Sequence, residues 1–159
     1  MSAGPVSLER RAPLPAPTAT VVRLATITIA TLASSAVHRA GLLSVLEAGL
    51  ETFSPDSYPS TFAPVLVVRL DFAPADFNEL TMLSVRVEHE DGERLSEIGF
   101  ALTYIPPDEA DQHLTHYWPL IHQLPLQVRR DGLHLVRLSV NGDEIRRLPF
   151  VVTSRLPQP

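Results

Sequence analysis

The chain of 159 residues contains no cysteine and no lysine. Without cysteine there is no disulfide, no thiolate metal centre and no thiol nucleophile, and the compartment is left open. Without lysine, all thirteen basic residues are arginine, set against eighteen acids for a net charge of −5. That balance gives no nonspecific attraction to nucleic acid, and arginines scattered along strands read first as a solvated face. Long apolar runs are missing too. The stretch Leu24 to Leu32 is too short to span a bilayer, so no membrane partner is expected. Glycine is scarce, at seven residues, and no glycine-rich loop opens a helix. A parallel α/β fold is therefore not expected.

Proline is plentiful, at fifteen residues. Lacking an amide hydrogen, it belongs at strand edges and in loops. Pro5, Pro13, Pro15 and Pro17 mark residues 1–20 as a disordered Pro/Ala-rich tail. A single domain is expected over residues 22–153, followed by a frayed end at 154–159. Arg10, Arg11, the apolar stretch and Ala33-Ser34-Ser35-Ala36 also imitate a signal peptide over residues 1–36. Threonines and upstream prolines weaken that reading. A cytoplasmic protein is expected, with secretion as the alternative.

What remains is β-sheet. Residues 22–32 form a strand by β-branched content. A second strand runs from Leu42 to Phe53, with a bulge at Gly49. Pro64 to Phe72 is the most apolar strand and is placed centrally. Residues 73–80 are a connector with one helical turn. Met82 to Glu90 alternates, turns at Asp91-Gly92 and returns from Leu95 to Ile105. A short strand over 119–128 carries Pro119 and Pro125, so it is assigned to an edge. Asp131-Gly132 and Asn141-Gly142 then punctuate a closing hairpin. In that hairpin a two-residue turn pairs Val140 with Asp143, which leaves the apolar faces out of phase by one. A bulge is expected between Ile145 and Leu148, at Arg146-Arg147. The spacing gives an all-β, Ig-like antiparallel β-sandwich of about 7–8 strands, its core filled by Phe53, Phe62, Phe72, Phe100 and Phe150.

Three segments resemble DUF6941, a family of small bacterial proteins of unknown function. They are Gly41-Leu42-Leu43-Ser44-Val45-Leu46-Glu47-Ala48-Gly49, the Arg86-to-Gly92 turn, and Asp131-to-Glu144 with Leu148-Pro149-Phe150-Val151-Val152. Leu50 and Glu51 replace aromatics that members often carry after the Ala-Gly pair. The resemblance implies an Ig-like sandwich and a strand, not a signal peptide, at residue 24. It implies no reaction.

The strongest chemical constellation is His113, His116 and His122 beside Glu109 and Asp111. Imidazoles and a carboxylate can ligate zinc, but the spacing matches no zinc signature, and Trp118-Pro119 interrupts it. Solvated loop histidines are the plainer reading, so no metal or cofactor is expected. Ser34, Ser35 and Ser44 lie in no nucleophile elbow. Glu88 and Glu90 share a strand face but do not specify glycosidase geometry. His89 and His134 read as satisfied core or interface histidines. Tyr58, Tyr117 and Trp118 offer aromatic anchors in loops 54–63 and 106–119, and such anchors dominate interface energies.

The function expected is a noncatalytic interaction or accessory module with a protein partner; a homo-oligomer is compatible with it. One alternative is a secreted carbohydrate- or surface-binding module. The other is a small metal-dependent hydrolase using the 109–122 loop.

Overall fold

The computed structural model describes residues 25–155. The expectations for residues 1–20, for a strand start at 22 and for 156–159 lie outside the described residues. Two sheets pack face to face. One holds β1 (Thr26–Ala33), β6 (Val65–Phe72) and β9 (His116–Gln123), in the order β1-β6-β9. The other holds β4 (Thr52–Phe53), β12 (Asp143–Val152), β11 (Gly132–Val140), β7 (Leu80–His89) and β8 (Arg94–Thr103), in the order β4-β12-β11-β7-β8. These eight strands make the sandwich. All their pairings are antiparallel except the short parallel contact of β4 with β12. Two smaller pairs complete the fold: β2 (Ser35–Arg39) with β3 (Leu42–Leu46), and β5 (Ser60–Phe62) with β10 (Leu126–Val128). Among the described residues the one helical element is the 3-10 turn Pro74–Asp76, whose Asp76 carboxylate accepts from the Ala73 amide at 2.9 Å.

Period-two alternation builds the core. Leu83, Val85 and Val87 of β7 and Val136, Leu138 and Val140 of β11 are fully buried. From the facing sheet, Leu66, Val68, Leu70 and Phe72 of β6 are buried beside Leu120. Strand β6 lies between two neighbours, as its unbroken apolar run requires. Of the five phenylalanines expected inside, Phe72 and Phe150 are buried, while Phe53, Phe62 and Phe100 are half-buried at the margins.

Several boundaries differ from expectation. The second strand ends at Leu46 instead of reaching Phe53. Glu47 and Gly49 both take positive φ there, and the Gly49 and Leu50 amides turn back onto the Leu32 carbonyl. A bulge was expected; a full turn stands in its place. The apolar stretch that imitates a signal peptide is β1, paired with β6 over seven positions, with Ile27, Leu32 and Ala33 buried. The 119–128 strand is two strands, broken at Leu124-Pro125. The first of them, β9, is an edge strand carrying Pro119, as expected. In the closing hairpin Val140 pairs with Asp143 and a bulge restores the phase, but it falls at Ile145: Ser139 pairs with Glu144 and Leu138 with Arg146. That placement lets Glu144 reach Arg137 at 2.9 Å. At the C-terminus the chain is tied beyond residue 153: Ser154 donates to Asp131, and the Arg155 amide to the Pro55 carbonyl.

Candidate functional site

Strands β8 and β9 are the edges of their respective sheets on the same flank of the sandwich, and they do not pair with each other. Trp118 lies in β9 opposite Leu70, so its side chain shares the face of β6 that builds the core. Tyr117 lies on the opposite face. Both residues are on a strand, where a loop was expected. Trp118 is half-buried because nothing bridges the two edges beside it. A cleft of about 250 Å³ results, lined by Phe72, Ala101, Leu102, Thr103, Tyr104 and Trp118. Its rings are held in place. Tyr104 stacks on Phe72 at 5.1 Å, with 15° between planes. Phe77 and His116 close around Tyr104 from the other side. His116 Nε2 is engaged by the Asp111 carbonyl at 2.8 Å. The cleft is an aromatic-walled pocket with no charged side chain in its lining.

The proposed zinc residues are not brought together. His116 pairs with Phe72 and His122 with Leu66, at opposite ends of β9. They are six residue steps apart along the strand, roughly 20 Å. His122 packs edge-on to Phe100. Among the described residues no group of three His, Cys, Asp or Glu side chains is gathered as a metal site.

Nor do the three aromatic anchors share a surface. Tyr58 donates to the Asp131 carboxylate at the far end of the sandwich. Tyr117 donates to the Gly41 carbonyl, lies under the Arg69 guanidinium at 4.4 Å and meets His38 edge-on. Its role is to hold down the tip of the β2–β3 hairpin. Of the three, Trp118 alone lines the cleft.

The far end gathers most of the remaining polar chemistry. His89 and His134 are register partners on β7 and β11, packed edge to face at 4.9 Å and both buried. His89 Nδ1 lies 2.9 Å from Asp91 Oδ1, and its Nε2 lies 3.2 Å from the Asp131 carbonyl. His134 Nδ1 donates to the Gly132 carbonyl at 3.1 Å, and the ring stacks on Phe150. Burial pushes the His134 imidazole below its usual value. The Glu93 amide, then His89, hold Asp91 down to about 2. Tyr58 is pushed up to about 12, by desolvation first and then by its bond to Asp131. Asp131, held down chiefly by Tyr58, also accepts from Ser154. The recess beside these histidines, rimmed by Arg129 and Arg130, measures about 10 Å³, the size of one water.

Sequence reasoning missed Tyr104 in the cleft and Asp131 as a hub. The first had a signal: Phe100, Leu102 and Tyr104 continue one period-two face. Asp131 carried none, because a turn explains Asp-Gly completely. Among the described residues no helix is long and apolar enough to cross a membrane. No curated protein matches the chain. Residues 28–153, most of its length, match a family of unknown function, and the chain belongs to that family, DUF6941.

Proposed function

We propose that this chain is a noncatalytic interaction module that holds a protein partner at the cleft between β8 and β9. One observation carries the reading: an aromatic cleft of about 250 Å³ left open where two edge strands fail to meet. Aromatic side chains in such a pocket are the usual anchors of interface energy. The metal-dependent hydrolase of the 109–122 loop is disfavoured by the separation of His116 and His122 at opposite ends of β9. The dispersal of Tyr58, Tyr117 and Trp118 disfavours a carbohydrate platform. The reading takes the protein as cytoplasmic, because the segment that imitates a signal peptide supplies a core strand.

The test is selection of binders from a displayed library of random peptides, followed by titration calorimetry on the full chain. Trp118→Ala should weaken selected peptides by about tenfold or more. Asp56→Ala, on the exposed far end, should leave them unchanged. Equal binding by wild type and Trp118→Ala would overturn the proposal.

A further inference from the structure

Among the described residues the sandwich has several free strand margins, and those of β1, β9 and β12 are guarded. A free margin presents unpaired backbone donors and acceptors, which natural proteins blunt with bulges, proline or charge. The register of β1 slips at Thr28, between Ile27 and Ile29. Strand β9 carries Pro119 in mid-strand. The unpaired half of β12 bears Glu144, Arg146 and Arg147 and bulges at Ile145. Strand β8 differs. Its irregularity and its charges, Arg94 and Glu97, lie at its beginning, and from Ile98 to Thr103 it is uncharged and regular.

The direction of its backbone groups follows from its partner. The Asn141 amide donates to the Met82 carbonyl at 2.8 Å, and the Met82 amide donates to Asn141 Oδ1 at 2.7 Å. Both backbone groups of Met82 therefore point away from β8. Met82 pairs with Ala101, so this is a non-hydrogen-bonded pair, and the amide and carbonyl of Ala101 point outward. Alternation sends those of Gly99 and Thr103 the same way. The Tyr104 carbonyl, turned inward to the Asn78 amide at 3.0 Å, fits this phase. All three outward positions carry small side chains, and the cleft lies directly beside them.

We infer that the open margin of β8, at Gly99, Ala101 and Thr103, accepts an extended segment of a partner protein as an added strand, whose apolar side chains at alternate positions fill the Trp118 cleft. This rests on the interaction reading above and names its occupant. Only a polypeptide in β conformation matches a row of outward amides and carbonyls. The occupant is a partner segment and not a second copy of this chain. The inner side chains of a second β8, Ile98, Phe100 and Leu102, are already packed against their own core, so they cannot enter the cleft. The cleft exceeds the cavity of about 150 Å³ that accepts a benzene ring, so it has room for a side chain from outside.

The probe is the set of peptides selected from the displayed random library. Amide exchange followed by NMR on the full chain should show new protection at Gly99, Ala101 and Thr103 when such a peptide is added. Ala101→Pro removes one outward amide and leaves the bonds to β7 intact, a position where an edge strand tolerates proline. It should weaken binding by about tenfold or more. The exchange measurement requires no variant, so the inference stays testable if Ala101→Pro fails to fold. Peptides that lose affinity with Trp118→Ala but protect none of the three amides would overturn the added strand and leave the cleft reading standing. Peptides indifferent to Trp118 would overturn both. Protection that grows with protein concentration alone, without peptide, would overturn the choice of occupant.

Discussion

At the end carrying the Asp91-Gly92 and Asp131-Gly132 turns, polar groups close on one another. At the end carrying the Asn141-Gly142 turn, aromatic rings stand beside an open cleft. Both ends face the same physical difficulty, because strands stop there and the core would meet water. At the first end the buried histidines find partners, His89 in Asp91 and Asp131 and His134 in Gly132, and the exposed Asp131 is itself engaged by Tyr58 and Ser154. Buried polar groups with partners fix one arrangement. At the second end, packing holds Tyr104 and Phe77 but leaves Trp118 half-covered. The closed end serves the fold; the open end leaves an aromatic cleft uncovered.

If that contrast is right, substitutions at the closed end should cost stability, and those at the cleft should cost binding. The largest effect is expected from Phe150→Ala. Phe150 is buried and stacked on His134, and its loss should cost about 3–5 kcal/mol in urea unfolding. Gly132→Ala comes next. Its φ is +135°, and an added Cβ would land on the His89 ring. The expected cost is about 1–3 kcal/mol, with the His89–His134 contact visibly displaced in NMR spectra. Trp118→Ala should cost less than about 3 kcal/mol, below the range for a fully buried aromatic. A cost as large as that of Phe150→Ala would make the cleft part of the core and erase the contrast.

A smaller effect is expected from pH. His134 binds its proton less readily when folded than when unfolded. Its neutral, folded form is therefore favoured without penalty above about pH 6.5, and stability falls as pH drops from there toward the lowered native value. Urea titrations between pH 7.5 and 5 should show this slope, and His134→Gln should flatten it. An unchanged slope would assign the effect elsewhere. The smallest effect is expected at the hairpin, where Val37 is half-exposed. Val37→Ser should change stability by no more than about 0.5 kcal/mol.

The fold was largely legible because the strands that build it obey local rules. Met82 to Glu90 alternates, Asn141-Gly142 turns, and a parity argument along β11 and β12 required a bulge. Its position differs from expectation: with Ile145 as the extra residue Glu144 reaches Arg137, a contact that chain order does not display. Strand β3 stops at Leu46, short of the expected Phe53, and Glu47 at φ +50° is not a residue that advertises a left-handed turn. The sites were less legible. Tyr58 and Tyr117 are adjacent to nothing in sequence that reveals Asp131 or Gly41 as their partners. The sequence places Trp118 in a loop, whereas it stands on an edge strand beside a gap between two sheets. That gap is a property of the packing of two sheets and has no signature in either strand alone.

Trp118 is also the only tryptophan in the chain. Its indole therefore supplies the protein's characteristic fluorescence from one place, the wall of the cleft. An apolar side chain entering there would displace water from the ring and move its emission to the blue, with no label and no second indole to dilute the signal. The molecule carries its own optical gauge of that wall, and a titration that shifts the emission reports on the surroundings of Trp118.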